Sequence, residues 1–229
     1  IEEVPAEIDR VADRLASQWF TEFRKAIKNL GDEHRAVYAD IKGMSREPEL
    51  IEIQRPRTRT EETEDEIGNP LPTRDQHLMS DPDGRFPIGS LNDWEIGVLD
   101  AEMKDADFLA WYRNPSRPAE DALAIAWRDG HDNWRRMCPD FIFFHGSGDD
   151  VRVSIVDPHG HHLADALHKL RGLANFAAEF GASFHRIEAI ARMEDGTLRV
   201  LDLLDKKVRN AVERATDAKS LYTGKAATD

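Results

Sequence analysis

Cys138-Pro139-Asp140-Phe141-Ile142-Phe143-Phe144, followed after His145-Gly146-Ser147-Gly148-Asp149-Asp150 by Val151-Arg152-Val153-Ser154-Ile155-Val156-Asp157-Pro158-His159, decides the fold of this chain. Both runs are apolar and rich in aromatic or β-branched residues, which reads as two strands. The segment between them is short, polar and glycine-bearing, as a hairpin loop requires. Pairing the runs brings Asp140, at the start of the first, next to Asp157, at the end of the second. Two carboxylates held together at one end of a sheet form a site for a hard divalent cation such as Mg²⁺. A cation so placed suits phosphodiester hydrolysis.

Working outward, residues 5 to 44 read as helical. Ile8, Val11, Leu15, Trp19, Phe20, Phe23, Ile27 and Leu30 recur at helical spacing and predict a stripe facing a core or a partner. Glu49 to Gln54 reads as a short strand. Arg55 to Asp65 switches from basic to acidic with little to bury, which predicts a loop or linker. Asp81-Pro82-Asp83-Gly84 is a turn signal, and a boundary near residue 85 divides a helical region, 1–85, from a second domain, 86–229.

In that second domain a helix opens at Asn92 or Asp93 and runs to about Lys104. Leu123–Trp127 and the runs bearing Asp140 and Asp157 are predicted as three strands. An amphipathic helix follows over His162–Phe180, with Gly181 as its stop. His185–Arg192 and Leu198–Leu204 read as strands around Glu194-Asp195-Gly196. A last helix, from Lys206 to about Thr216, leads into a polar tail. The order predicts an α/β domain with a mixed central sheet flanked by helices.

Composition bounds the function. The 229 residues suffice for one good core with an appendage. One cysteine, Cys138, excludes an internal disulfide and a cysteine-based zinc cluster, and fits a reducing cytosol. No apolar run reaches the roughly 18–20 residues of a membrane span. No basic-apolar leader opens the chain, so a cytoplasmic protein is expected, and the opening Ile1 suggests an excised piece of a longer one. The net charge of -13 argues against a protein that simply coats nucleic acid. It leaves room for a nuclease with its basic groups on one face.

Trp94-Glu95 with Val98-Leu99, Trp111-Tyr112-Arg113-Asn114-Pro115, Pro139-Asp140-Phe141-Ile142, Ile155-Val156-Asp157-Pro158-His159-Gly160 and His168-Lys169-Leu170-Arg171-Gly172-Leu173 follow one another in an order that resembles the PD-(D/E)XK nucleases. More closely, they resemble the nuclease-like domain behind the helicase motor of type III restriction (Res subunit) and phage-defence proteins. The resemblance covers about half the chain and implies a restriction-endonuclease-like fold. It also implies a Mg²⁺- or Mn²⁺-dependent endonuclease acting on DNA, with a helicase or ATPase module in the same chain or complex. It assigns metal binding to Asp140 and Asp157, with Glu95 as the helix glutamate. His159 stands where the family has its lysine, and Lys169 can supply an amine from the next helix.

Imidazole can accept a proton or ligate a metal, so the exchange of lysine for His159 keeps proton-transfer chemistry while weakening the charge beside a phosphate. Arg113, Arg135 and Arg136 are candidate phosphate contacts on DNA. Two other readings stay open. One is a catalytically inactive nuclease-fold module that binds DNA or docks a partner. The other is a transition-metal hydrolase built on Asp157, His159 and His161, within a span that also holds His145, His162 and His168.

Overall fold

The computed structural model describes residues 61–228 apart from 117, 118 and 161; before them it describes positions 11, 14, 15, 18, 19, 21–23, 26, 48 and 50–53. Most of the predicted N-terminal helices therefore lies outside the described residues. Val11, Leu15, Trp19 and Phe23 do lie on helical backbone, but they are exposed rather than packed against the described residues. Leu50–Ile53 is not a strand: it pairs with no ladder, and its Leu50 and Ile51 are exposed.

The elements run β1 (Thr73–Asp75), β2 (Arg85–Pro87), α1 (Asp93–Glu102), β3 (Phe108–Arg113), β4 (Ile125–Arg128), β5 (Trp134–Met137), β6 (Phe141–Ser147) and β7 (Asp150–Pro158). They continue with α2 (Ala166–Phe180), β8 (Arg186–Arg192), β9 (Leu198–Asp202), α3 (Lys206–Arg214) and α4 (Ala218–Thr223). The central sheet has five strands in the order β3-β6-β7-β8-β9. All neighbours are antiparallel except β7 and β8, which are parallel. A parallel pair needs a crossover connection, and α2 supplies it. This mixed central sheet with helices on its faces is the expected α/β class.

Each face of the sheet carries its own core. Leu99 and Val98 of α1 pack with Trp111, Phe141, Phe143 and Val156 on one face. Leu170, Leu173, Ala174 and Ala177 of α2 pack with Ile155, Ile187 and Leu201 on the other. Strand alternation divides the residues this way: Ile155 and Val156 are neighbours in β7 and belong to opposite cores.

Local sequence explains the elements that frame the site. Asn92 caps α1 by accepting from the backbone of Trp94 and Glu95, while Glu95 returns a carboxylate oxygen to the Asn92 N–H at 2.7 Å. This reciprocal box satisfies donors that a helix start otherwise leaves open. The β6–β7 hairpin turns at Gly148 (φ 59°), and Gly146 (φ 140°) brings its backbone so close to Asp150 that a Cβ there would lie 1.8 Å from the Asp150 carbonyl oxygen. Only glycine meets that geometry.

Three expectations change. The first strand of the main sheet is Phe108–Arg113, and Ile125–Arg128 pairs instead with Trp134–Met137 in a separate two-stranded ribbon. A local turn decides this: Asp129 accepts from the backbone of His131 and Asn133, folding the chain straight back on itself. Helix α2 starts at Ala166 rather than His162, and Leu163 is half exposed. The polar tail is a further helix, α4, whose Leu221 and Tyr222 are buried in the α2-side core. Asp217 caps it, with a side chain that accepts from the Ser220 N–H.

The turn Asp81–Gly84 joins β1 to β2 across residue 85. Arg74 of β1 pairs with Asp100 of α1 at 2.7 Å, and Trp111 donates its indole N–H to the Asp75 carbonyl at 2.7 Å. The chain from Thr73 onward is thereby tied to the α/β unit. The acidic stretch Glu61–Glu66 is loop, with one isolated bridge between Glu64 and Pro70.

Candidate functional site

The β6–β7 register pairs Phe141 with Val156 and so sets Asp140 opposite Asp157. Asp157 is buried, and its Oδ1 accepts the backbone N–H of Asp140 at 3.1 Å. Arg113, the last residue of β3, enters the same corner. Its Nη1 lies 2.8 Å from Asp140 Oδ1 and its Nη2 3.1 Å from Glu95 Oε1. The guanidinium also sits 5.0 Å from the Phe141 ring centroid, where a planar cation is favoured.

The corner thus gathers Glu95, Asp140 and Asp157 around one arginine. Burial pushes the Asp140 carboxyl up to about 7. Arg113 opposes the shift, while the charges of Asp157 and Glu95 add to it. A carboxyl held up in this way is chiefly one taken out of water, with the two neighbouring acids adding a smaller push.

His159 follows β7 and is anchored by its backbone N–H, which donates to Ile190 at 2.9 Å. Its Nδ1 lies 3.4 Å from Asp157 Oδ2, and its Nε2 3.3 Å from the Tyr222 hydroxyl. The ring is therefore held between a carboxylate and a buried phenol. Burial, and then the charge of Asp157, holds Tyr222 well above the ordinary tyrosine range, so this phenol is protonated at neutral pH.

Of the residues that the sequence singles out, Glu95, Arg113, Asp140, Asp157 and His159 come together. Lys169 does not join them: it lies in the first turn of α2, with its Nζ 2.8 Å from Asp165 and over the Trp127 ring. Arg135 and Arg136 lie on β5, outside the main sheet, and Arg135 is paired with Asp129 at 2.8 Å. His145 is at the far end of β6, and His161 lies outside the described residues.

Two members were missed. Tyr222 was hidden in what read as a tail, although Ala218, Leu221 and Tyr222 after Asp217 have helical spacing. Asn114, buried beside Arg113, donates from its side chain to the carbonyls of Leu123 and Pro139 at 2.8 Å. Its backbone N–H donates to the Asp140 carbonyl at 3.0 Å, so it braces the turn into β6.

The donor set fits a hard cation in part. Asp140 and Asp157 are adjacent carboxylates in a corner short of positive charge, which suits Mg²⁺ or Mn²⁺. Glu95 is committed elsewhere, since Oε1 pairs with Arg113 and Oε2 with the helix cap. Among the described residues, the three side chains whose ligand atoms all lie within 4.8 Å of one another are Glu102, Asp105 and His145, on another part of the sheet.

Comparison with known proteins gives two matches. The sequence model of the YagJ family matches residues 75–229. Protein YagJ of Escherichia coli (strain K12) is 40% identical over 230 residues, which take up 99% of this chain and 93% of that protein. No solved structure matches. The link to restriction helicases rests on the motif resemblance alone.

Proposed function

The chain belongs to the YagJ family, and from that premise we propose that it is a metal-dependent phosphodiester hydrolase acting on DNA. The observation that carries this reading is Asp140 facing Asp157 across the β6–β7 ladder, with Arg113 and His159 closing the same corner.

Asp140 and Asp157 would hold Mg²⁺ or Mn²⁺, which supplies charge to the phosphodiester and makes a bound water more acidic. Each side chain has its own task. Asp157 accepts from the Asp140 N–H and so fixes where the second carboxylate begins. Arg113 offers a planar donor fork that matches a phosphate as well as it matches the carboxylates it now holds. His159, pinned by Asp157 and Tyr222, takes a proton on its imidazole, where the PD-(D/E)XK nucleases that the motifs resemble have a lysine. Glu95 keeps Arg113 turned into the corner.

The double ion pair of Arg113 favours a second reading, the inactive module. There, the arginine stays paired with Glu95 and Asp140, and the corner serves structure alone.

The test is cleavage of supercoiled plasmid and of single-stranded DNA in Mg²⁺ and in Mn²⁺, by the wild type and by Asp157→Ala and Asp140→Asn. Cleavage by the wild type and its loss in both folded variants is the expected result. Equal cleavage by the variants would refute the assignment of the site. No cleavage and no Mg²⁺ or Mn²⁺ binding by the wild type would transfer the corner to the inactive-module reading.

A further inference from the structure

The opposite end of β6 holds a second cluster that the proposed hydrolase does not use. His145 is only 3% exposed, and neither ring nitrogen makes a hydrogen bond to the described residues. Its Nε2 lies 3.4 Å from Glu102 Oε2 and 3.7 Å from Asp105 Oδ2, outside hydrogen-bonding geometry with both. Buried polar side chains are almost always paired, so a buried imidazole aimed at two carboxylates without a hydrogen bond calls for a ligand.

We propose that His145, Glu102 and Asp105 form a binding site for a first-row divalent transition-metal ion of the zinc class. Their ligand atoms all lie within 4.8 Å of one another. Imidazole with carboxylates selects such an ion over Mg²⁺ or Ca²⁺, which favour oxygen alone. Three protein ligands leave a further position for water or a substrate.

The surroundings match a metal centre. Arg186 grips Glu102 through its two terminal guanidinium nitrogens, Nη1 on Oε1 at 2.9 Å and Nη2 at 2.5 Å on Oε2, the oxygen that also faces His145. A carboxylate oxygen has more than one acceptor direction, so Arg186 orients Glu102 without consuming it. Glu188, at 3.3 Å from Arg186, adds a third acid to Glu102 and Asp105 against that one arginine. A divalent ion brings this group close to neutral. The Phe108 ring stands edge-on to His145 at 5.6 Å and shields one side, while Asp105, with 59% of its side chain exposed, opens the other to solvent.

The site would tie the turn after α1 to β6. It lies five residues along the chain from Asp140, roughly 17 Å at strand rise. It is independent of the hydrolase reading.

Metal-stripped full-length protein, titrated with Zn²⁺ by calorimetry and with Co²⁺ by visible absorption, decides the matter. Wild type and Asp157→Asn are each expected to bind one equivalent with a nitrogen-oxygen cobalt spectrum. Asp105→Asn and His145→Gln are expected to bind about 100-fold more weakly or worse. Asp105 is exposed, so its variant stays folded, as circular dichroism will verify, even if His145→Gln does not. Absence of stoichiometric Zn²⁺ and Co²⁺ binding by the wild type overturns the site. So does binding that survives Asp105→Asn, or that is lost only in Asp157→Asn.

Discussion

The carboxylate of Asp157 accepts the backbone N–H of Asp140 at 3.1 Å, so one acid of the corner positions the other through the main chain. The pair is therefore more than two acids brought near each other by strand pairing. Side-chain changes at Asp157 act on the approach of Asp140 as well as on charge.

Arg113→Ala tests the electrostatics of the corner. Its removal leaves Glu95 and Asp140 without their counter-ion. A loss of about 2–4 kcal/mol is expected, since removing one partner of a half-buried pair exposes the full cost of the other. If the corner binds Mg²⁺, added Mg²⁺ should restore more melting temperature to Arg113→Ala than to the wild type. An equal Mg²⁺ response in the two proteins would count against cation binding there.

The raised carboxyl of Asp140 predicts a pH dependence. In the folded protein it ionises at about 7, against an ordinary value of 3.8. Between those values the folded state holds a proton that the unfolded chain has released. Stability therefore falls as pH rises through that window, and levels off above it. Melting curves at about pH 5 and about pH 8 in chelator should show this fall, on the order of 1–3 kcal/mol, in the wild type and a shallower one in Asp140→Asn. Parallel curves for the two proteins would remove Asp140 as the cause.

His159→Ala should reduce cleavage by about 10²-fold if the imidazole transfers a proton, and His159→Lys should retain much of the activity. Tyr222→Phe deletes the hydroxyl that lies 3.3 Å from His159 Nε2. It should shift the pH–rate profile while leaving the fold intact. A profile identical to that of the wild type would make Tyr222 a packing residue only.

Gly172→Ala tests how the β4–β5 ribbon docks on α2. A Cβ at position 172 would lie 2.4 Å from Trp127 Cβ and 3.2 Å from the Ala126 carbonyl oxygen. Backbone must yield, and a loss of about 1–3 kcal/mol is expected from denaturant unfolding. An unchanged midpoint would show that the ribbon shifts at no cost.

Local features made much of the fold legible. The Asn92 cap, the glycine turn between β6 and β7, and the apolar stripe of α2 each depend on neighbours within a few residues, and each was readable. The pairing of Asp140 with Asp157 followed as well, because a two-strand hairpin has little freedom of register once its turn is set. β3 was missed as a strand because it lacks a local partner: its neighbour in the sheet, β6, comes after the intervening β4–β5 ribbon. Ile125–Arg128 was read into the main sheet, and only the Asp129 turn shows why it pairs locally instead.

What the sequence determined by itself was therefore the β6–β7 hairpin, the mixed sheet class and two facing aspartates, since short-range hydrogen bonding and side-chain periodicity dictate all three. The tertiary structure alone decided the electrostatics at both ends of β6. Arg113 meets Glu95 across 18 residues, Tyr222 meets His159 across 63, and Arg186 meets Glu102 across 84. Those contacts depend on how helices seat on opposite faces of the sheet, which is a property of packing over the whole domain and leaves no periodic trace in the chain.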